Sequence, residues 1–186
     1  MRVIAGKYRS RVLKGPGSLK LRPTSDRLRE TLFNVLGPAV EGSLFIDVFA
    51  GTGAMGLEAI SRGATEAIFV ESYAKAVQLI RQNLESLEIQ NADLIHADAV
   101  TGLERIAQRH VVADFIFVDP PYENVEDYSR VLEFLDGAHL LAPRGIVIIE
   151  HFVKQKLPGQ LARLERTRLL EQGDASLSFF RLAAAA

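Results

Sequence analysis

From Leu44 onward, short runs of apolar, β-branched and aromatic residues alternate with longer stretches whose apolar positions recur every three or four residues. Short runs of this kind mark strands buried on both faces, and the longer stretches mark helices packed on a parallel sheet. The pattern predicts strands over 44–48, 67–70, 92–96, 115–118 and 146–149, and helices over 54–62, 73–87, 100–109 and 126–134. The second of these helices carries Val77, Ile80, Leu84 and Leu87 on one face.

After Glu150 the pattern changes. Apolar runs over 164–170 and 177–182 flank Glu171-Gln172-Gly173-Asp174-Ala175-Ser176, which reads as two strands, a turn and an antiparallel finish. Upstream, Ser25 precedes Leu28, Leu32, Phe33, Val35 and Leu36, so a helix is predicted to begin near Ser25 and end at Gly37-Pro38. Together these elements predict an α/β, Rossmann-like fold: an arm and helix over 1–40, a body over 41–182 and an alanine tail over 183–186.

Composition narrows the function classes. A chain of 186 residues, 48% of them apolar, suits one domain with a filled core. Without cysteine there are no disulfides, thiolate metal sites or cysteine nucleophiles, and His96, His110, His139 and His151 lack metal-ligand spacing. No apolar run approaches the roughly 20 residues that cross a bilayer, so a soluble, cytoplasmic protein without a membrane partner is expected. Charge is lopsided: nine basic and two acidic residues in the first 30 give +7, leaving −8 for the rest of a chain whose formal charge is −1. A basic arm on an acidic body points to a polyanionic partner, with Arg2, Lys7, Arg9, Arg11, Lys14 and Arg22 as the candidate phosphate contacts; the bland alternative is a solvated, partly disordered tail.

Candidate chemistry begins at Phe45-Ile46-Asp47-Val48-Phe49-Ala50-Gly51-Thr52-Gly53-Ala54-Met55-Gly56, a strand entering a glycine turn and then a helix. Adenosine cofactors bind at such turns, and Glu71 at the end of the next strand can hold ribose hydroxyls. The glycines alone would suggest NAD. Asp47 argues otherwise, because a fixed negative charge there repels a pyrophosphate, whereas S-adenosylmethionine carries an ammonium and a sulfonium and no phosphate. Asp98 ends the third strand and can accept from an adenine amino group. Each of these acids could equally be a helix cap or loop acid, but three at consecutive strand ends suit a ligand outside the carboxyl edge of the sheet. Thr52 belongs to the same loop, and Arg22 and Thr24 could serve either the cofactor pocket or RNA.

The fourth strand runs directly into Asp119-Pro120-Pro121-Tyr122. Two prolines stiffen the turn and fix its acceptors, which suits an amino donor. Hydrogen bonds from an exocyclic amine to Asp119 and the Pro120 carbonyl favour a pyramidal, reactive nitrogen, and Tyr122 offers a flat face for a base, worth about 1–3 kcal/mol. After methyl transfer a proton leaves through Asp119 or water. The bland reading is an ordinary proline-containing turn.

With these residues in view, the chain resembles the class I S-adenosylmethionine-dependent amino-methyltransferases, whose motif is [Asn/Asp/Ser]-Pro-Pro-[Tyr/Phe]. Within them Arg2 to Arg11, Leu21-Arg22-Pro23-Thr24-Ser25-Asp26-Arg27-Leu28-Arg29-Glu30 and Leu32-Phe33-Asn34 are similar to bacterial small-subunit ribosomal RNA guanine-N2 methyltransferases of the RsmD type. The likeness runs nearly end to end. It implies a mostly parallel seven-stranded sheet with an antiparallel C-terminal hairpin, S-adenosyl-L-methionine as cofactor, and a guanine of 16S ribosomal RNA as substrate. It further implies the small ribosomal subunit or its assembly intermediate as partner, and nothing demands more than a monomer. No segment outside the catalytic fold is large enough for a separate base-reading domain. The rivals are an amino-methyltransferase for adenine or cytosine of DNA or another RNA, an NAD-binding protein, and a non-catalytic RNA-binding module.

Overall fold

A computed structural model of the protein describes residues 1–17, 24–121 and 124–184. Seven strands form one sheet: β1 (Leu44–Val48), β2 (Glu66–Glu71), β3 (Ala92–His96), β4 (Ala113–Val118), β5 (Leu141–Phe152), β6 (Leu164–Gln172) and β7 (Ala175–Leu182). Their order across the sheet is β3-β2-β1-β4-β5-β7-β6, parallel except for β7 and the β6–β7 hairpin. Helices α1 (Asp26–Leu36), α2 (Ala54–Ser61), α3 (Ala74–Ser86), α4 (Ala99–Ala107) and α5 (Val125–Gly137) cover both faces. This is the architecture the hydrophobic pattern implied. β5 runs from Leu141, earlier than the predicted 146, because its first residues pair with Ala113 across a register shift in β4.

Local chemistry explains the helix starts. Ser25 caps α1 by accepting from the Leu28 N–H at 3.1 Å, and Gly37 ends it with φ +59°. On one face of the sheet Ile46, Val48, Ile68, Val70 and Ile116 meet Leu103 and Ile106 of α4 and Val131, Leu132 and Leu135 of α5. On the other, Phe45, Phe115, Phe117 and Phe179 meet Leu28, Leu32 and Phe33 of α1 and Met55 of α2.

The beginning of the chain is folded onto the body. An antiparallel bridge joins Arg2 and Val12, and Val3 and Leu13 are buried beside Leu57, Ile60, Phe69 and Ile80. Glu58 of α2 holds this hairpin by accepting from the Ile4 and Ala5 N–H groups at 2.8 and 3.0 Å. Arg29 of α1 donates to the Arg2 carbonyl at 2.6 Å. The bland alternative, a partly disordered tail, does not hold over 1–14.

Candidate functional site

Parallel register brings the carboxyl ends of β1, β2, β3 and β4 to one edge. The strand order reverses between β1 and β4, whose outgoing chains part there and open a crevice, the usual ligand position in such sheets. Asp47, Glu71 and Asp119 all sit at this edge, and the Asp119 N–H donates to the Val48 carbonyl at 3.3 Å.

The glycine loop is built for close approach. Gly51 and Gly53 have φ of +56° and +77°, values that L side chains rarely adopt. A Cβ on Gly56 would lie 2.4 Å from the Phe69 ring, so this glycine serves the packing of α2 on β2 rather than a ligand. No side chain of its own caps α2, and the Asp47 carboxylate does so instead, accepting from Gly56 N–H at 3.0 Å. Asp47 is 1% exposed. Burial pushes its pKa up to about 8, the hydrogen bond from Gly56 opposes that, and the neighbouring Glu71 carboxylate adds to it. That shift favours the neutral carboxyl near pH 7, so the negative charge expected there is conditional rather than fixed. A cation in the crevice would draw the carboxyl back to its ionised state, and a pyrophosphate would oppose ionisation.

Glu71 braces the same loop: its carboxylate accepts from Gly51 N–H and from Tyr73 N–H, each at 2.7 Å. Each oxygen keeps a further lone pair for a ligand hydroxyl. Asp98 is exposed and caps α4, accepting from Thr101 N–H at 3.1 Å, and hydrogen bonds from the Thr101 side chain and N–H lower its pKa. Thr52 stands apart from the other loop residues. It is buried, its hydroxyl meets the Met1 Sδ at 3.4 Å, and its carbonyl accepts from Asn83, so its polar atoms face the hairpin and α3.

In the Asp119-Pro120-Pro121 turn Asp119 is partly exposed, Pro120 buried and Pro121 exposed, with the Pro121 carbonyl accepting from Asn124 N–H at 2.9 Å. Tyr122 and Arg22 lie outside the described residues. Thr24 Oγ1 lies 3.4 Å from Asp119 Oδ2 and 2.8 Å from Glu150 Oε2. Glu150, 5% exposed, is a fourth edge acid that sequence reasoning missed. A signal existed, because Glu150 directly follows the predicted 146–149 strand as Asp47 and Glu71 occupy the ends of theirs.

Among the described basic residues, Lys7 lies away from this crevice. Lys7 N–H donates to the Ser61 carbonyl at the C-terminus of α2, near the amino end of β1. That is the opposite end of a five-residue strand from Asp119, roughly 15 Å of backbone away. Arg2, Lys7, Arg9, Arg11 and Lys14 are exposed, and among the described residues none pairs with a carboxylate. Arg29, counted among the arm's charges, is instead fully buried between Asp26 and Glu58, with its pKa lowered by burial. Among the described residues no helix is long and apolar enough to cross a membrane, and no group of His, Cys, Asp and Glu could hold a metal ion.

Known proteins share this arrangement. The family model described as conserved hypothetical protein 95 matches residues 1–181. The YlbH protein of Bacillus subtilis is 35% identical over 182 residues, covering 97% of this chain and 98% of its own. Ribosomal RNA small subunit methyltransferase D of Escherichia coli is 38% identical over 158 residues, covering 85% of this chain and 78% of its own. Among solved structures, the YhhF protein of Escherichia coli superposes with a TM-score of 0.85 at 30% identity, over 100% of this chain and 99% of that one. The chain therefore belongs to the conserved hypothetical protein 95 family, the family of the ribosomal RNA small subunit methyltransferase D proteins.

Proposed function

We propose that this chain transfers a methyl group from S-adenosylmethionine to the exocyclic N2 of a guanine in 16S ribosomal RNA, working in the cytoplasm as a monomer on the small ribosomal subunit or its assembly intermediate. The observation that carries the reading is Asp119, a partly exposed acid on a proline-stiffened turn at the crevice between β1 and β4, beside the glycine loop. The name borne by the Escherichia coli and Haemophilus influenzae relatives, ribosomal RNA small subunit methyltransferase D, supports the choice of RNA.

The residues fit a cationic, phosphate-free adenosine cofactor. Among the described residues no Lys or Arg pairs with Asp47 or Glu71, and Asp47 is buried at a pKa that a nearby cation would lower. Asp47 would meet the cationic end, Gly51 and Gly53 would let the backbone approach, Glu71 would hold ribose hydroxyls, and Asp98 would accept from the adenine amine. When bound, the cofactor supplies an electrophilic methyl group on a sulfonium.

The chain's own work concerns the amine. The Asp119 carboxylate and Pro120 carbonyl accept its two N–H groups, hold the nitrogen lone pair on the methyl side and leave Asp119 poised to receive the proton released. Tyr122 would stack on the base and keep its plane fixed. Arg2, Lys7, Arg9, Arg11, Lys14 and Arg22 would neutralise RNA phosphates away from the reacting base, giving affinity without base reading.

Incubation with labelled cofactor and undermodified 30S particles, naked ribosomal RNA or duplex DNA tests the reading. Label is expected in the 16S RNA of the particles. Label in DNA alone would instead favour an adenine or cytosine amino-methyltransferase, and binding of NAD but not S-adenosylmethionine in a calorimetric titration would overturn the cofactor.

A further inference from the structure

Asn83 is a polar residue on the apolar face of α3, with Ile80 one turn before it and Leu87 one turn after, and it is 0% exposed. A buried amide is costly unless its polar atoms are bonded, and here all of them are. Its Oδ1 accepts from Lys14 N–H at 2.8 Å, while its Nδ2 donates to the Lys14 carbonyl at 3.2 Å and to the Thr52 carbonyl at 3.0 Å. These partners fix which way round the amide sits, since an N–H can only donate and a carbonyl only accept. The third bond reaches the glycine loop. Residues 50–53 are tied to neighbouring elements at successive positions: Ala50 N–H to the Val70 carbonyl at 3.1 Å, Gly51 N–H to Glu71 at 2.7 Å, and the Thr52 carbonyl to Asn83. Gly51 and Gly53 flank Thr52, both at positive φ, and glycine backbone is the least restrained. The Thr52 carbonyl shares a peptide plane with Gly53 N–H, which donates to the Ala50 carbonyl at 2.7 Å, so Asn83 fixes that plane from its other side.

Resting on the reading of this loop as the S-adenosylmethionine site, we propose that Asn83 is a positioning residue for the cofactor: by holding the Thr52–Gly53 peptide plane, it keeps Gly51 and Gly53 in the shape that admits the cofactor. The donor to Thr52 is what the role demands. Without it a buried carbonyl between two glycines is unpaired, and ordering the loop then subtracts from the affinity for the cofactor. The transfer step itself is untouched, because Asp119 and Pro120 follow a different strand. Attachment of the hairpin is a separate matter, since Glu58 holds it through Ile4 and Ala5 by bonds that do not involve the loop.

Asn83→Ala, Asn83→Asp and, as a hairpin control, Glu58→Gln are compared with the unaltered full-length protein by urea unfolding, calorimetric titration with S-adenosylmethionine and initial rates on 30S particles. In Asn83→Ala the cofactor Kd and KM are expected to rise about 10- to 100-fold, with kcat at saturating cofactor within about threefold of the original. Asn83→Asp keeps an acceptor for Lys14 N–H but as a carboxylate has no donor, so it should bind the cofactor no better than Asn83→Ala. Glu58→Gln should lower the urea midpoint and leave Kd within about threefold of the original. A merely structural Asn83 would behave like that control, its loss lowering the midpoint while Kd of the folded protein stays put. The original Kd in Asn83→Ala or in Asn83→Asp, or an equal rise in Glu58→Gln, would each overturn the proposal. If Asn83→Ala does not fold, Asn83→Asp decides. If the unaltered protein does not bind S-adenosylmethionine, the proposed function fails on its own account. Amide exchange at Gly51 and Gly53 in the ligand-free proteins then reads the positioning: it should quicken by about tenfold or more when Asn83 is replaced, and unchanged exchange contradicts it.

Discussion

Two buried acids, Glu58 and Asp47, occupy opposite kinds of region. Glu58, on the hairpin side of α2, accepts from two backbone N–H groups and from Arg62 Nε at 2.7 Å, with Arg29 Nε at 3.8 Å. Asp47, at the carboxyl edge of the sheet, accepts from Gly56 N–H and has another acid, Glu71, as its electrostatic neighbour. One carboxylate is neutralised by the protein, and its removal would leave buried Arg29 with Asp26 alone. The other forms no ion pair among the described residues. An acid surrounded by the protein's own cations holds elements together, whereas one beside a second acid at a sheet edge has the setting that the proposed cationic ligand would meet.

Deleting edge and hairpin acids should therefore break different properties. Asp119→Ala is expected to lower methyl transfer by about 10²- to 10⁴-fold while cofactor affinity and thermal stability stay near their original values. Transfer at the original rate would remove Asp119 from the reaction. On the hairpin side, Glu58→Ala should cost about 3–5 kcal/mol in urea unfolding, because the Ile4 and Ala5 N–H groups and Arg62 lose their acceptor and buried Arg29 keeps only Asp26 as a charge partner. A loss under about 1 kcal/mol would place Glu58 among ordinary surface pairs and erase the contrast.

Asp47 gives the comparison a pH dependence. Its folded pKa, about 8, lies above its ordinary value of 3.8, so between these values the folded ligand-free state holds a proton that the unfolded chain has released. The stability from this group is full below 3.8 and is lost as pH rises toward about 8. A bound cation favours ionised Asp47, so cofactor binding should release a proton within that range, and affinity should strengthen with pH by up to about tenfold per unit before levelling off above about 8. Calorimetry in buffers of different ionisation enthalpy measures the proton directly. Asp47→Asn should abolish its release, and an unchanged release would assign the proton elsewhere.

The smallest effect concerns the exposed face of the hairpin. Replacing Lys7, Arg9 and Arg11 with alanine should leave folding and cofactor binding intact and reduce the salt dependence of RNA binding by roughly one unit of slope for each phosphate no longer neutralised. Deleting residues 1–13 is a different experiment. It removes Val3 from the core along with both donors to Glu58, so it should destabilise the whole protein.

These contrasts also mark what could be read in advance. The glycine loop and the Asp119 turn stand out in the sequence because glycine and proline interrupt apolar strands at the sheet edge. Glu150 stands out less, since no glycine or proline follows it and β5 continues through His151 and Phe152, leaving only its place after the apolar run as a signal. The hairpin is hidden for another reason: Val3 and Leu13 are separated by ten chain positions and meet only through the turn between them, so no local periodicity reports their burial. Arg29 reads as one more arm charge, and only the meeting of α1 with α2 makes it an interior residue.

The most direct measurement is nucleoside mass spectrometry of 16S RNA from a deletion strain, compared with the same strain carrying the unaltered protein or its Asp119→Ala variant. One N2-methylguanosine is expected to be missing from the deletion strain, to return with the unaltered protein and to stay missing with the variant. An intact complement of N2-methylguanosine in the deletion strain, or its restoration by Asp119→Ala, would contradict it.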